Sequence, residues 1–289
     1  MNEFGIIGVG RIGASMARNM LSKGIKMSLY DKNFINSDNE LNSSLIYDDL
    51  AEFVNSISKP RKILIFVPSG GPSNEVISEL IQNLDSNDII IDGGNTNPGV
   101  SFDNHQKVKS KNLLYLGMGV SGGVKGVLKG PSIMIGGDIK AYNEIKNSLS
   151  LITSKTIDNS QSFKLFGDSN QGHFVKMIHN GIEYVEMQLI SSVYYIMINS
   201  KKYNYDDIAK IFEKWNDSEL QSYLLEISIR KILEKTDDGH LIDRIDDKAE
   251  DNGTGRWMLN YAIELGCSVN MLNAALDSRF ISKSKDDRK

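Results

Sequence analysis

Six residues near the N-terminus, Gly8-Val9-Gly10-Arg11-Ile12-Gly13, restrict the fold more than any other stretch of this chain. They end an apolar run that starts at Phe4 and lead into an amphipathic stretch at 12–23, so the glycines fall at a strand-to-helix turn. Glycine there permits a tight turn, close approach of the backbone to a pyrophosphate and close packing of helix on strand, while the helix N-terminus favours an anion. Gly8, Gly10, Arg11, Ile12 and Gly13 are therefore candidate dinucleotide contacts. Asp31 lies 18 residues after Gly13 at the end of the second apolar run, near the ~20-residue offset at which an acid meets the adenine ribose. A glycine turn with no ligand is the competing reading. A carboxylate at Asp31 can accept ribose hydroxyls and would repel the phosphate that NADP carries there, so NAD is expected over NADP. Lys32, one residue on, can offset this by reaching a phosphate.

The first half of the chain alternates short apolar runs with amphipathic stretches, the pattern of a parallel sheet with crossover helices. Strands are expected at 4–9, 26–30, 63–67, 89–92 and 113–118, with helices at 12–23, 45–57 and 73–84. The glycine-rich stretch 120–137 ends in another strand-like run at 132–135, and sheet is expected to continue through about Phe163. From 172 to about 200 there is no proline, and apolar residues recur at helical spacing. Everything after it reads as further helices, with a break at 236–240 and a glycine-bearing loop at 250–255. The expected fold class is an α/β N-terminal Rossmann-like dinucleotide-binding domain at 1–168, followed by an all-α C-terminal substrate and dimerisation domain at 169–289. The charged end, 283–289, reads as solvated and frayed.

Composition removes several function classes. The 33 basic and 37 acidic residues leave a net charge of -4, so no global attraction to nucleic acid or an anionic membrane exists. Cys267 is the sole cysteine, which excludes an internal disulfide, and the four histidines are spread apart, so no metal site is expected. No apolar run approaches the ~20 residues of a membrane span, and the N-terminus lacks the basic leader of a signal peptide. A cytoplasmic enzyme is expected. A long helix with apolar residues around it also predicts self-association, as a homodimer or homotetramer.

Within the long helix, Lys176, His179, Asn180 and Glu183 fall at i, i+3, i+4 and i+7 and share one face about two turns long. An exposed, charge-paired face is the bland reading. Against it, Phe174, Val175, Met177, Ile178 and Ile182 flank these groups and argue that the helix is largely buried.

Three segments resemble motifs of 6-phosphogluconate dehydrogenases, in that family's order: Asp92-Gly93-Gly94-Asn95-Thr96, Val120-Ser121-Gly122-Gly123-Val124, and the stretch from Gly172 through His173 and Lys176 to Tyr184. Gly253-Thr254-Gly255-Arg256-Trp257 and the end around Arg279 are also similar. The match spans nearly the whole chain and is to the family's short form, because the long form extends well past residue 289. The resemblance implies oxidative decarboxylation of 6-phosphogluconate with NAD or NADP and no metal. It implies that Lys176 is the base that takes the hydroxyl proton and that Glu183, held in its acid form by burial, protonates carbon 1 of the enediol left by decarboxylation. It assigns Asn95, Ser121, Gly122, Gly123, His179 and Asn180 to the substrate's carboxylate and hydroxyls or to nicotinamide placement, and Tyr184 and Arg279 to its phosphate. Val67, Pro68 and Asn95 join the glycine turn as cofactor contacts.

Each assignment has an ordinary alternative. Gly122 and Gly123 can be a turn alone, Arg279 a surface charge, and His179 a satisfied structural histidine. One departure from the family bears on the phosphate: the long form commonly carries a lysine where this chain has Asn252, a contact that is lost or taken over by Arg256. The rival reading is a non-decarboxylating β-hydroxyacid dehydrogenase of the 3-hydroxyisobutyrate type. That family typically has Asn-Asn in place of His179-Asn180 and lacks the glutamate at Glu183, so the sequence sides with decarboxylation. A dinucleotide sensor without catalysis is the rival from another class.

Overall fold

The computed structural model describes residues 1–32, 41, 45–156 and 158–284, and the chain divides into two compact units, Met1–Met177 and Ile178–Lys289. The first unit is built on an eight-stranded sheet. In chain order its elements are β1 (Phe4–Ile7), α1 (Arg11–Ser22), β2 (Met27–Tyr30), β3 (Ile46–Tyr47), α2 (Leu50–Asn55), β4 (Lys62–Ile65), α3 (Gly71–Asn83), β5 (Ile89–Asp92), α4 (Pro98–Lys109), β6 (Leu114–Ser121), α5 (Gly123–Lys129), β7 (Ser132–Gly137), α6 (Ile139–Ile152) and β8 (Phe163–Gly167). Helix α7 (Gln171–Asn199) then begins in this unit and runs on into the second.

The strand order is β3-β2-β1-β4-β5-β6-β7-β8, parallel throughout except where β6 meets β7. β1, β2 and β5 are buried along their whole length, as strands covered by helices on both faces must be. Chain order reverses between β1 and β4, which opens a crevice at the carboxyl ends of those two strands, directly at the glycine turn. One hydrophobic core packs α1, α5 and α6 on one face of the sheet, and another packs α2, α3 and α4 on the other.

The α/β first unit and the predominantly helical second unit agree with the expected fold class, but the local reading needs correction. β1 ends at Ile7, because Gly8 already turns the chain at φ +90°. The helix expected at 45–57 starts only at Leu50, where Asp49 caps it by accepting the Glu52 N–H at 2.8 Å, and Ile46–Tyr47 instead pairs with β2. Residues 136–163 are not continuous sheet: α6 intervenes, with Ala141, Ile145, Leu149 and Ile152 buried at helical spacing. Two further helices add to the expected set: α4, capped by Asn97 and opened by Pro98, and α5, set among the glycines of 120–137.

The second unit adds α8 (Tyr205–Asn216), α9 (Tyr223–Leu233), α10 (Thr254–Glu264) and α11 (Asn270–Lys283). Its helices form two clusters. α8 and α9 bury Ile208, Phe212, Leu225 and Ile232 against the later turns of α7, and α11 buries Leu272, Ala275 and Leu276 against Tyr184. The unit is not wholly helical. Lys235–Thr236 and Gly239–His240 form a small antiparallel hairpin, β9 and β10, at the expected break. Residues 285–289 of the charged end lie outside the described residues. Among the described residues no helix is long and apolar enough to cross a membrane.

The helix that opens at the glycine turn is held by one buried side chain. Asn19, 1% exposed, donates from Nδ2 to the carbonyls of Val127 at 2.8 Å and Ile152 at 2.9 Å, tying α1 to the ends of α5 and α6. Asn19→Ala leaves both carbonyls buried without that donor, so a loss of about 2–4 kcal/mol is expected in urea unfolding. A change below about 0.5 kcal/mol, the scale of an ordinary surface substitution, would contradict this account.

Candidate functional site

The glycine turn is shaped by what side chains would collide with. A Cβ on Gly8 would lie 2.5 Å from the Phe66 carbonyl oxygen, and one on Gly13 would lie 1.9 Å from the Gly8 oxygen. These two glycines let β1, α1 and the end of β4 close on one another. Gly10 differs: nothing lies within 4 Å of its Cβ position, so the turn is open on the side where a ligand would approach. Gly10 is also the N-cap of α1 and supplies no side-chain acceptor, which leaves first-turn N–H groups for an anion. Arg11 is exposed beside it, and Ile12 packs against the core.

Asp31 accepts the Val9 N–H through Oδ2 at 2.7 Å, so the acid after β2 is fixed to the turn itself. Lys32 is engaged elsewhere, its ammonium 2.8 Å from Glu79 of α3. Val67 and the exposed Pro68 follow β4, and Val67 flanks Gly8. Asn95 is exposed in the loop after β5. The backbone of this region thus fits a dinucleotide.

Lys176 is positioned by glycines, of which Gly172 belongs to the motif quoted above and Gly117 and Gly119 lie within β6. Gly117 and Gly119 alternate on one face of β6, and a Cβ on Gly119 would lie 2.4 Å from Cβ of Lys176. Gly172 packs just as closely, its Cβ position 2.3 Å from the Gly117 oxygen and 2.6 Å from the Gly136 nitrogen. The first turns of α7 therefore lie directly on the backbone of β6 and β7, and the stem of Lys176 occupies space a side chain at 119 would need. Alternate glycines inside an otherwise apolar strand were the available signal, since they mark close backbone approach.

A buried polar network lies beside this contact. Asp92 accepts the Thr96 hydroxyl at 2.9 Å, the Tyr115 hydroxyl at 3.2 Å and the Gly94 N–H at 3.0 Å. Burial, and next the charge of Asp92, push the Tyr115 hydroxyl well above its ordinary pKa, so it stays a donor. None of Ser101, Tyr115 and His173 had been singled out as a site residue, because no local pattern joins them.

Ser121 closes β6, and Gly122 and Gly123 turn the chain into α5 with φ of +128° and +56°. Those dihedrals require glycine whether or not a substrate binds. The identity of these two residues therefore reports on the turn.

In the second unit, His179, Asn180 and Glu183 lie together on α7. His179 Nδ1 is 3.2 Å from Asn180 Oδ1 and 3.4 Å from Glu183 Oε2. Both neighbours are acceptors, which assigns the ring hydrogen to Nδ1. The expectation that burial surrounds Glu183 is corrected: its side chain is 39% exposed. The helix as a whole is also less buried than expected, with Ile182, Leu189 and Ile196 exposed at 60%, 48% and 67%.

Tyr184 and Arg279 come together as a pair. The Arg279 guanidinium lies 4.0 Å from the centre of the Tyr184 ring, and its Nη1 donates to the Glu250 carbonyl at 2.7 Å. The Tyr184 hydroxyl accepts the Asn252 N–H at 3.4 Å, so Asn252 sits against this pair through its backbone. Arg256 is held by Asp251, Nε to Oδ2 at 2.7 Å, and its partner carboxylate is buried. Arg256 therefore braces the 250–253 loop. Among the described residues no group of three or more His, Cys, Asp or Glu is arranged to hold a metal ion.

Comparison with known proteins agrees with this geometry. Residues 3–160 match the NAD binding domain of 6-phosphogluconate dehydrogenase, and residues 172–289 match that family's C-terminal domain. A decarboxylating 6-phosphogluconate dehydrogenase of Staphylococcus aureus is 39% identical over 293 residues, covering 99% of this chain and 62% of the relative. The chain thus spans somewhat under two thirds of the length of that relative. A solved 6-phosphogluconate dehydrogenase of Plasmodium falciparum, described with its cofactor NADP+ and its substrate 6-phosphogluconate, superposes with a TM-score of 0.91 at 36% identity, covering 99% of this chain and 63% of that one. A Mycobacterium tuberculosis 3-hydroxyisobutyrate dehydrogenase superposes at 0.72 with 16% identity over 96% of this chain and 92% of that one, a likeness of fold alone.

Gly13→Ala tests the turn. Its Cβ has no room at 1.9 Å from the Gly8 oxygen, so α1 must move away from β1. NADH binding, followed by fluorescence titration, is expected to weaken at least about tenfold, as ~1.4 kcal/mol of lost contact implies. Wild-type affinity in a folded variant would remove the turn as the pyrophosphate cradle.

Proposed function

The chain belongs to the 6-phosphogluconate dehydrogenase family, and on that premise we propose that it oxidises and decarboxylates 6-phosphogluconate to ribulose 5-phosphate and carbon dioxide. The observation that carries this reading is the run of Lys176, His179, Asn180 and Glu183 along one helix, with Lys176 held against Gly119. The dinucleotide supplies the hydride acceptor when bound at the glycine turn.

The residues of the chain then have proton work to do. Lys176, as the free amine, takes the proton of the carbon 3 hydroxyl while hydride leaves that carbon. In the resulting 3-keto acid the bond from carbon 1 to carbon 2 breaks, carbon dioxide departs, and the electron pair moves onto the ketone oxygen. The ammonium of Lys176 returns its proton to that oxygen, giving an enediol. Glu183, which this step needs in its protonated form, gives a proton to the carbon that lost the carboxylate, and Lys176 removes the neighbouring hydroxyl proton to leave the ketone. One proton passing from the ammonium of Lys176 to the carboxylate of Glu183 resets both groups. Asn95, Ser121, Gly122, Gly123, His179 and Asn180 hold the substrate's carboxylate and hydroxyls, and Tyr184 with Arg279 binds the phosphate. Arg279 suits that role because a guanidinium can offer two parallel donors.

NAD is proposed over NADP. Asp31 is tied to the turn by the Val9 N–H, and Lys32 is paired with Glu79. A 2′-phosphate would meet a carboxylate and a lysine already partnered, although the Plasmodium falciparum relative takes NADP+. A protein that works in the cytoplasm as a homodimer or homotetramer belongs to the same proposal. Ile182, Leu189 and Ile196 recur every seven residues on α7 and are exposed, which supports a second copy covering this face.

Crossing NAD and NADP with 6-phosphogluconate and gluconate tests the chemistry. One carbon dioxide per NADH is expected, kcat/KM should be higher with NAD, and Lys176→Ala should lower kcat ~10²–10⁴-fold at nearly unchanged cofactor affinity. A product retaining all six carbons would favour the 3-hydroxyisobutyrate type, and faster turnover with NADP would remove the cofactor preference alone. Light scattering on the purified protein tests assembly: a mass at or above twice 32.2 kDa is expected, and a monomer at micromolar concentration would refute it.

A further inference from the structure

We propose that His173 is a positioning residue, whose imidazole ties the first turn of α7, one turn ahead of Lys176, to the loop that carries Asn95. The inference rests on the reading of Lys176 and Asn95 as substrate-facing groups. His173 is 2% exposed, and its Nδ1 is 2.8 Å from Ser101 Oγ on α4. Ser101, fully buried, lies 3.3 Å from the Tyr115 hydroxyl, which donates to Asp92. The ring also lies beside the backbone of Asp92 and Gly94. Asp92 in turn shapes the loop leading to Asn95 by accepting the Gly94 N–H and the Thr96 hydroxyl.

The proton assignment follows from these neighbours. Tyr115 gives its one hydroxyl hydrogen to Asp92, so an unbroken chain has Ser101 donate to Tyr115 and accept from Nδ1–H of His173. Burial pushes the imidazole below its ordinary pKa, outweighing the charge of Asp92, and so keeps this neutral tautomer. Packing alone does not call for a histidine. A polar pair inside a core can be exchanged for apolar groups of similar shape at little cost, and an aliphatic side chain would fit over Gly117, whose absent Cβ leaves room beside the ring. What the imidazole adds is direction: it bonds Ser101 of α4 through Nδ1 and lies beside the Asp92–Gly94 backbone, which fixes the rotation of the α7 turn that precedes Lys176.

The test compares His173→Leu, His173→Asn and Ser101→Ala with the wild type, using 6-phosphogluconate and NAD. His173→Leu is expected to unfold cooperatively, to bind NADH within about twofold of wild type, and to lose about tenfold to a hundredfold in kcat, as small misplacements of reacting groups do. His173→Asn, whose amide N–H can still donate to Ser101, should recover most of that loss. A purely structural role would move the melting temperature without this split and without the rescue. Wild-type kcat in folded His173→Leu, or equal impairment of the leucine and asparagine variants, would overturn the proposal. If His173→Leu does not fold, Ser101→Ala decides: lowered kcat at unchanged NADH affinity supports the tie, and wild-type kcat overturns it. A wild-type protein inert toward 6-phosphogluconate overturns the reaction reading and this inference with it, whereas an active wild type with unaffected variants sinks the role of His173 alone.

Discussion

The contact on which the candidate chemistry depends is the bare backbone of β6 and β7 against the first turns of α7. Gly117, Gly119 and Gly136 present no side chains there, and Gly172 answers with none of its own. Helix and sheet consequently approach to backbone contact, and the stem of Lys176 fills the space above Gly119. A flexible amine on a four-carbon chain is a poor base unless its root is fixed. Here the root is fixed by van der Waals contact on strand backbone, and a buried hydrogen-bonded network from Asp92 to His173 lies alongside.

The same device shapes the dinucleotide turn. Gly8 and Gly13 are required by collisions between β1, α1 and the end of β4, while Gly10 is free of neighbours and faces the open side. The distinction separates two uses of glycine in one short motif: two positions let protein segments meet, and one lets a ligand approach. The reversal of chain order between β1 and β4 explains why the turn opens into a crevice. The charges around Asp31 then act on whatever occupies the ribose end, because Lys32 is already paired with Glu79.

The second unit assembles its polar groups differently, by stacking a cation on an aromatic ring. Arg279 lies over Tyr184, and the 250–253 loop wraps the pair through the Glu250 carbonyl and the Asn252 N–H. Arg256 keeps that loop in shape through the buried carboxylate of Asp251. A cation over a ring face retains donors for an anion while the ring limits its swing. Arg279 is thereby a fixed cation in a chain whose net charge is -4.

Residues close together in the chain were legible because short-range geometry governs them. The strand, turn and helix at Gly8–Gly13, the offset of Asp31 and the shared helical face from Lys176 to Glu183 all follow from bond geometry and the 3.6-residue period. α6 carries an equally plain helical period, but the glycine-rich stretch before it reads as sheet and masks where the helix begins. What no spacing could reveal was which distant segments meet: Gly119 with Lys176, Ser101 with His173, Lys32 with Glu79, and Arg279 with Tyr184. The exposure of Glu183 belongs to the same group, since burial is a property of neighbours and not of a residue or its period. Local periodicity determined which helix face carries the polar groups; tertiary packing alone decided how that face is anchored, because an anchor requires atoms brought together across long stretches of chain.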